Sequence, residues 1–265
     1  MTGDMKRFAI FLALVGLVFS AAAQKNRWSF HVGYNNAVGS FARVDIPNND
    51  WIFISNTSIK GGAGCGFDVG FAYRLPLGGS ERYGLIFSAD MLWTELSKAV
   101  RQNMTIEANN ARSNFENVSV AFPRFINVPI LGGFHYEFGI GKNANMFVEP
   151  QIGASFRHIT DRSAEFVGAT VPVVENGVSM YEYVYRDNYY NSLSFAFRLT
   201  LGFVFKEHWM VDASYLYTGR QIVEGYEDYR FSTNQDLSSP VSGSASFVGG
   251  HTTPMFVTVR FGYRL

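Results

Sequence analysis

The segment GAGCGFDVGFAYRL, Gly62–Leu75, decides the fold because its side chains alternate in character along the chain. Successive side chains of a β-strand point to opposite faces, whereas a helix would mix the two sets. One face would carry Ala63, Cys65, Phe67, Val69, Phe71, Tyr73 and Leu75, and the other Gly62, Gly64, Gly66, Asp68, Gly70, Ala72 and Arg74. The pattern therefore predicts a strand that separates Cys65 from Asp68, not a reactive site that contains both.

The same alternation recurs along the chain and predicts eight strands in all. The predicted strands lie near 28–35, 62–75, 83–94, 126–138, 146–156, 193–205, 209–218 and 255–265. Their connections are short near 76–82, 139–145 and 206–208, and long near 40–60, 96–123, 159–190 and 220–252. An even number of strands joined alternately by short turns and long loops is typical of outer-membrane barrels.

The composition favours a membrane barrel over a soluble one. Aromatic residues make up 16% of the chain, with 25 Phe and 14 Tyr, and there are 26 Gly. A soluble sandwich or lipocalin-like barrel would turn the apolar set inward, but this set holds more bulky aromatics than a small interior accommodates. We therefore predict an all-β fold, an eight-stranded antiparallel up-and-down transmembrane β-barrel with four long extracellular loops and short periplasmic turns. Closure is required because an open sheet edge in lipid leaves backbone groups unpaired.

The N-terminus predicts export. Lys6 and Arg7 precede the apolar run Phe8–Phe19 and then an Ala21–Ala23 cleavage site, which is the pattern of a secretory signal peptide. We expect residues 1–23 to be a cleaved signal peptide and residues 24–265 to form a single outer-membrane β-barrel domain. The expected location is the bacterial outer membrane.

Charged residues on the polar face of the strands predict a network inside the barrel. Five acids and five arginines share this face: Asp68, Arg74, Asp90, Glu137, Glu149, Arg157, Arg198, Asp212, Arg260 and Arg264. Eight strands enclose space for side chains alone, and unpaired buried charges are costly, so these groups should pair, Asp68 included. A plugged lumen is the favoured interpretation, and a selectivity filter or gated pore is the alternative.

Catalytic and metal-binding patterns are weak. His158, with Asp161 three residues later, is the best-placed candidate for a lipid hydrolase, but no serine motif accompanies it. Cys65 is the single cysteine, and no histidine cluster has metal-ligand spacing, so no cofactor or metal is expected. The 22 basic residues balance the 22 acidic ones, which excludes a strong field for nucleic acid.

The third long loop is the best candidate for a contact surface. Its segment MYEYVYRDNYY, 180–190, alternates aromatic with charged residues. The predicted surface comprises Tyr181, Tyr183, Tyr185, Arg186, Tyr189 and Tyr190. The alternative is that two strands extend past the bilayer as a hairpin covered by these tyrosines. Loop four, with GYEDYRF at 225–231 and a Ser- and Gly-rich continuation, is expected to be more mobile.

The chain resembles the PorT-like outer-membrane β-barrel proteins of Bacteroidetes, within the OmpA/OmpX-type architecture. The resemblance rests on GYN at Gly33–Asn35, INVPILGGFHYEF at 126–138 and FVEPQIGASF at 147–156. It implies contacts with outer-membrane lipid or lipopolysaccharide, and with other outer-membrane proteins of a secretion or assembly complex, since the family name comes from a member implicated in type IX secretion.

These observations together predict a non-enzymatic barrel with a plugged polar lumen that acts through loop or partner contacts. Envelope structure, membership of a secretion or assembly complex, and surface binding all remain open. A narrow channel for small solutes is the second hypothesis, and an outer-membrane lipid hydrolase is the third.

Overall fold

The computed structural model describes residues 27–43, 62–78, 80–102, 105, 114–169, 172–175, 178–234 and 237–265. The expected signal peptide and most of the first long loop lie outside the described residues. No helix in the described segments is both long and apolar enough to cross a membrane.

The described segments form fifteen strands, a short helix, α1, at Gly39–Ala42, and a further helical segment at 98–102. The strands are β1 (Trp28–Ala37), β2 (Ala63–Leu77), β3 (Ser80–Leu96), β4 (Phe115–Ala121), β5 (Arg124–Gly139), β6 (Ala144–Ile159), β7 (Arg162–Ala169), β8 (Val173–Glu175), β9 (Val178–Met180), β10 (Glu182–Tyr189), β11 (Ser192–Phe205), β12 (Trp209–Tyr217), β13 (Gln221–Ser232), β14 (Val241–Thr252) and β15 (Met255–Arg264).

Eight of these strands close into a barrel in the order β1-β15-β12-β11-β6-β5-β3-β2. All neighbours pair antiparallel, and the first and last strands close the ring from Ser29 opposite Arg264 to Ala37 opposite Phe256. Neighbours in the ring follow one another along the chain, so the predicted up-and-down barrel of eight strands is confirmed.

The two ends of the barrel differ. At one end, here called the turn end, β1 begins, β15 ends and the three short connections lie. Lys206 and Glu207 link β11 to β12 there with φ of 49° and 68°. Two successive positive φ angles belong to the tight turns whose twist matches that of an antiparallel hairpin. The opposite end is called the sheet end.

The outer face of the barrel is apolar and the inner face largely polar. On β2, Phe67 is 48% exposed whereas the next residue, Asp68, is 1% exposed. Cys65 is exposed on the outer face, as the alternation predicts. Ala63 was predicted to share that face, but it is buried, because the β2–β3 register shifts between Ala63 and Gly66 and so turns Ala63 to the inside.

A five-stranded antiparallel sheet continues the barrel wall beyond the sheet end, in the order β14-β13-β10-β7-β4. Along the chain these strands adjoin β15, β12, β11, β6 and β5, which are five consecutive barrel strands in the same order. The segments 96–123, 159–190 and 220–252 were predicted to be loops, but Phe115–Ala121 of the first and most of the length of the other two are paired strand. The alternative of strands that extend past the barrel describes them better.

An apolar cluster fills the lumen at the sheet end. Phe41 of α1 is fully buried, and its ring meets those of Phe125 and Phe256 edge to face, with centroids 5.0 and 5.4 Å apart. Leu92 and Leu216, each 1% exposed, belong to the same cluster. The polar part of the lumen therefore lies beneath an apolar plug.

Candidate functional site

All ten charged residues predicted for the lumen are buried, each 8% exposed or less. The central cluster forms around Asp90, whose side chain is fully buried. Arg198 Nη1 donates to Asp90 Oδ2 at 2.5 Å, and Arg260 Nη1 to Asp90 Oδ1 at 3.4 Å. Arg260 Nε also donates to Asp212 Oδ1 at 2.7 Å. These bonds join β3, β11, β12 and β15 across the barrel interior.

A second cluster lies nearer the turn end and forms around Glu137. Arg74 Nη1 and Arg264 Nη2 both reach Glu137 Oε2, at 2.9 and 3.0 Å. His135 connects this carboxylate to Glu149, with its Nδ1 2.7 Å from Glu149 Oε1. Because the bonded groups lie on β2, β5, β6 and β15, this cluster also ties opposite walls of the barrel together.

Two of the ten predicted residues stand outside these clusters. Asp68 was expected to meet an arginine, but within the described part of the chain no hydrogen bond or ion pair to Asp68 is found, and its Oδ1 is buried without a partner. Arg157 is 1% exposed, and its one hydrogen bond among the described residues runs from Nη2 to the Ile222 carbonyl at 3.3 Å. Asp68 and Arg157 therefore do not take part in the ion-paired network.

The sequence-based network omitted two histidines that contribute to it. His31 contacts Asp90, and His135 contacts both Glu137 and Glu149. Both lie on the polar face of the alternating pattern, so the information that places them in the lumen was present in the sequence. They were missed because only acids and arginines were counted as charged members.

His31, Asp68 and Asp90 bring their ligand atoms within 4.8 Å of one another, an arrangement that could hold a metal ion. The surroundings oppose a cation, however. Arg260 Nη1 lies 3.2 Å from His31 Nε2, and two arginines contact Asp90. A metal ion bound there would face a guanidinium at close range, which lowers its affinity. The residues therefore do not fit a metal well.

His158, the candidate for a hydrolase, lies on the outside of β6. Its Nδ1 is 2.8 Å from Asn191 Oδ1 at an exposed position. Among the described residues, the His158 side chain makes this one hydrogen bond, and it bonds neither to a serine nor to Asp161. This geometry provides no assembled nucleophile and base.

The structure divides the six residues of the predicted contact surface between two faces of the sheet. Tyr183, Tyr185 and Tyr189 are 9%, 6% and 8% exposed and pack inside, whereas Tyr190 is 56% exposed and Arg186 is also exposed. Tyr181 is half-buried and packs against the sheet's apolar layer. The prediction of one exposed surface is corrected for the three buried tyrosines. The strand alternation puts Tyr183 and Tyr185 against the sheet's own apolar layer, which includes Phe115, Phe166 and Met180. Tyr189 joins the apolar cluster at the sheet end of the lumen.

A shallow groove of about 300 Å³ runs across the exposed face of the sheet. Two rows of paired residues line it, Ser163–Arg186–Asp228 and Glu165–Val184–Arg230, each crossing β7, β10 and β13. The groove carries two acids and two arginines and so offers charged hydrogen-bonding groups of both signs. Arg186 is the member of the predicted surface that the structure places there.

Two carboxylates meet on the buried face of the sheet. Arg162 Nε donates to Asp187 Oδ2 at 2.6 Å, and Glu227 shares a hydrogen bond with Asp187 from the neighbouring strand. Burial and the Asp187 charge raise the pKa of Glu227 to about 7. Burial raises the pKa of Asp187 as well, although Arg162 opposes that shift. Because two carboxylates in contact cannot both ionise cheaply, this pair holds a proton over part of the physiological range.

No protein-family model matches the chain, and no curated protein matches it in sequence. Among solved structures, the chain is similar to Ail, the attachment invasion locus protein of Yersinia pestis, at 11% identity and a TM-score of 0.39, covering 91% of this chain and 100% of that one. It is also similar to OprG of Pseudomonas aeruginosa, at 10% identity and a TM-score of 0.39, covering 91% and 97%.

Neisserial surface protein A is a further match, at 10% identity and a TM-score of 0.38, covering 90% of this chain and 94% of that one. Likenesses this distant assign no function to the chain. The barrel architecture stands on the strand pairing described above.

Proposed function

We propose that this protein is a non-enzymatic integral barrel of the bacterial outer membrane that anchors a rigid β-sheet above the membrane for contacts with partners. The observation that carries the proposal is the continuation of five adjacent barrel strands into the five-stranded sheet, above a lumen filled with side chains. The barrel supplies the anchor, and the sheet supplies the surface.

Membrane insertion is supported by the apolar outer face. Large side chains are exposed around the ring, including Ile130 at 64%, Phe195 at 57%, Val259 at 54% and Phe261 at 51%. Soluble monomers rarely expose apolar surface so extensively, whereas in a bilayer the same side chains face hydrocarbon. The predicted signal peptide at residues 1–23 agrees with export.

The filled lumen favours an anchor over a channel. The central cluster and the cluster around Glu137 bond opposite walls together, and Phe41 with its neighbours fills the sheet end. An eight-stranded barrel encloses little more than its own side chains. A conducting pathway would require several buried ion pairs to break, which costs several kcal/mol for each.

The groove on the exposed sheet face is the surface proposed for contacts. Its Arg186 suits the phosphate groups of lipopolysaccharide or the acidic residues of another outer-membrane protein, such as a component of a secretion or assembly complex. Arg230, which is half-exposed and paired with Glu182 at 2.5 Å, adds positive charge beside it. Membership of the PorT-like proteins would favour the second kind of partner. Rows of paired residues across three strands hold these side chains in fixed register, which limits the entropy lost on binding.

Site-specific photocross-linking in the native outer membrane tests the proposal. A photoreactive amino acid at Arg186 should give a discrete adduct that weakens when Arg230 is replaced by Glu. The same amino acid at Ile140, exposed in a turn at the other end of the barrel, is the matched control. Adducts at Arg186 no stronger than those at Ile140 would count against a contact role for the groove.

A further inference from the structure

Arg157 is a buried cation without a counter-ion among the described residues. Its side chain points into the lumen from β6 near the sheet end, and the residue is 1% exposed. Within the described part of the chain no carboxylate lies within 4 Å of its guanidinium, and its Nε and Nη1 have no hydrogen-bond partner. An isolated buried charge costs far more than a neutral polar group, so this arrangement calls for a compensating anion.

Two polar side chains beside Arg157 also have buried atoms without hydrogen-bond partners among the described residues. Asn127 lies directly opposite Arg157 on β5, and Ser155 precedes it by two residues on the same face of β6. Both residues are 0% exposed, and in the segments that the structure describes the Asn127 amide nitrogen and the Ser155 hydroxyl have no hydrogen-bond partner. Buried polar groups in native proteins are almost always hydrogen-bonded, so a cluster of orphaned donors on one wall is unusual.

The lumen surfaces next to this cluster are small or apolar. Two steps towards the turn end, the facing pair on β6 and β11 is Gly153 and Ala196, which add little side-chain volume. Towards the sheet end, Ile159 and Phe125 close the lumen, 2% and 0% exposed. The site is thus enclosed, and its donors come from two adjacent strands, β5 and β6.

We propose that Arg157, Asn127 and Ser155 bind one small monovalent anion of halide size within the lumen. The guanidinium supplies the charge and one donor, and the amide and hydroxyl supply one donor each. The Asn127 Oδ1, which is also unpartnered, accepts a hydrogen bond from a water molecule that donates its other proton to the anion. Such an ion completes the charge balance of the upper lumen, where no acid of the described segments pairs with Arg157.

Halide dependence of stability tests this site. Urea unfolding of the purified full-length protein in lipid vesicles is compared in sodium chloride and in sodium gluconate at equal ionic strength, since gluconate is too large to enter. Well above the dissociation constant, each tenfold rise in chloride should lower the unfolding equilibrium constant tenfold. Arg157→Met should abolish this dependence, whereas Arg124→Met, the same charge change at an exposed rim position, should retain it.

Crystals grown in sodium bromide provide a second, independent reading. An anomalous peak within hydrogen-bonding distance of the Arg157 guanidinium would support the anion site. This result comes from the wild-type protein, so it holds even if Arg157→Met fails to fold. The proposal is overturned if no bromide peak appears there, if the wild-type protein is equally stable in chloride and gluconate, or if Arg157→Met keeps the chloride dependence.

Discussion

Replacing Asp90 by Asn should destabilise the barrel strongly. Asp90 is fully buried and receives hydrogen bonds from Arg198 and Arg260, with His31 also in contact. Asn has the same shape but no charge, so it converts charge-assisted hydrogen bonds of about 1.5–3 kcal/mol into neutral ones of about 0.5–1.5 kcal/mol. It also leaves Arg198 buried without a carboxylate partner. Breaking a buried ion pair from one side costs about 3–5 kcal/mol, and we expect about 3 because the amide oxygen still accepts one bond.

Reversible urea unfolding in lipid vesicles, followed by tryptophan fluorescence, measures this loss. The matched control is Glu95→Gln, which removes the Arg101–Glu95 ion pair at 2.6 Å, where both side chains are 40% exposed. Exposed pairs contribute about 0.2–1 kcal/mol, so the control should lose less than about 1 kcal/mol.

A double-mutant cycle with Arg198→Met isolates the interaction. The double variant should be more stable than the sum of the two single losses implies, by about 2 kcal/mol, because neither charge then remains buried alone. The reasoning is refuted if Asp90→Asn loses no more than the Glu95→Gln control, or if the two lumen substitutions add independently.

Three further predictions concern the outer face, the plug and the sheet. Leu199 stands midway along the outward row of β11, and Leu199→Arg should cost about 2–4 kcal/mol and impair insertion in the same unfolding assay, whereas Leu199→Met should be tolerated. Phe41→Ala should cost about 3–5 kcal/mol by leaving a cavity among buried rings, with Phe41→Leu losing clearly less; equal losses would show that the plug is not packed. Folding raises the pKa of Glu227 from 4.5 to about 7, so the folded state favours the protonated carboxyl. The stability that this protonation contributes is present below pH 4.5 and is lost as pH rises through 7. Wild-type protein should therefore lose more stability between pH 5 and about pH 8 than Glu227→Gln, and identical pH profiles would contradict the shared proton.

The barrel was predictable because alternation in a strand is a local property. In each predicted strand, the residue types alone show which side chains face outward and which face inward. A closed ring follows because every strand edge in the membrane must be paired. The same property placed the charged residues inside the lumen. Ala63 was misplaced because a register shift, which depends on the partner strand β3, reverses the alternation.

The sheet and the details of the lumen were not predictable in the same way. Pairing between β10 and β13 joins residues about forty positions apart, such as Arg186 and Asp228, and polar, tyrosine-rich strands resemble loops in composition. In the lumen, alternation states which side chains point inward but not their height along the axis. Asp68 and Arg157 both point inward, yet the stagger of the strands leaves neither with a partner of opposite charge among the described residues.

Single-channel recording tests the filled lumen most directly. The purified protein is inserted into planar bilayers, and heat-modifiable gel migration verifies that it is folded. A barrel whose interior is occupied by ion pairs and the Phe41 plug should give no stable unit conductance. Reproducible unit steps that scale with salt concentration would show an open pathway and contradict the anchor in favour of a narrow channel.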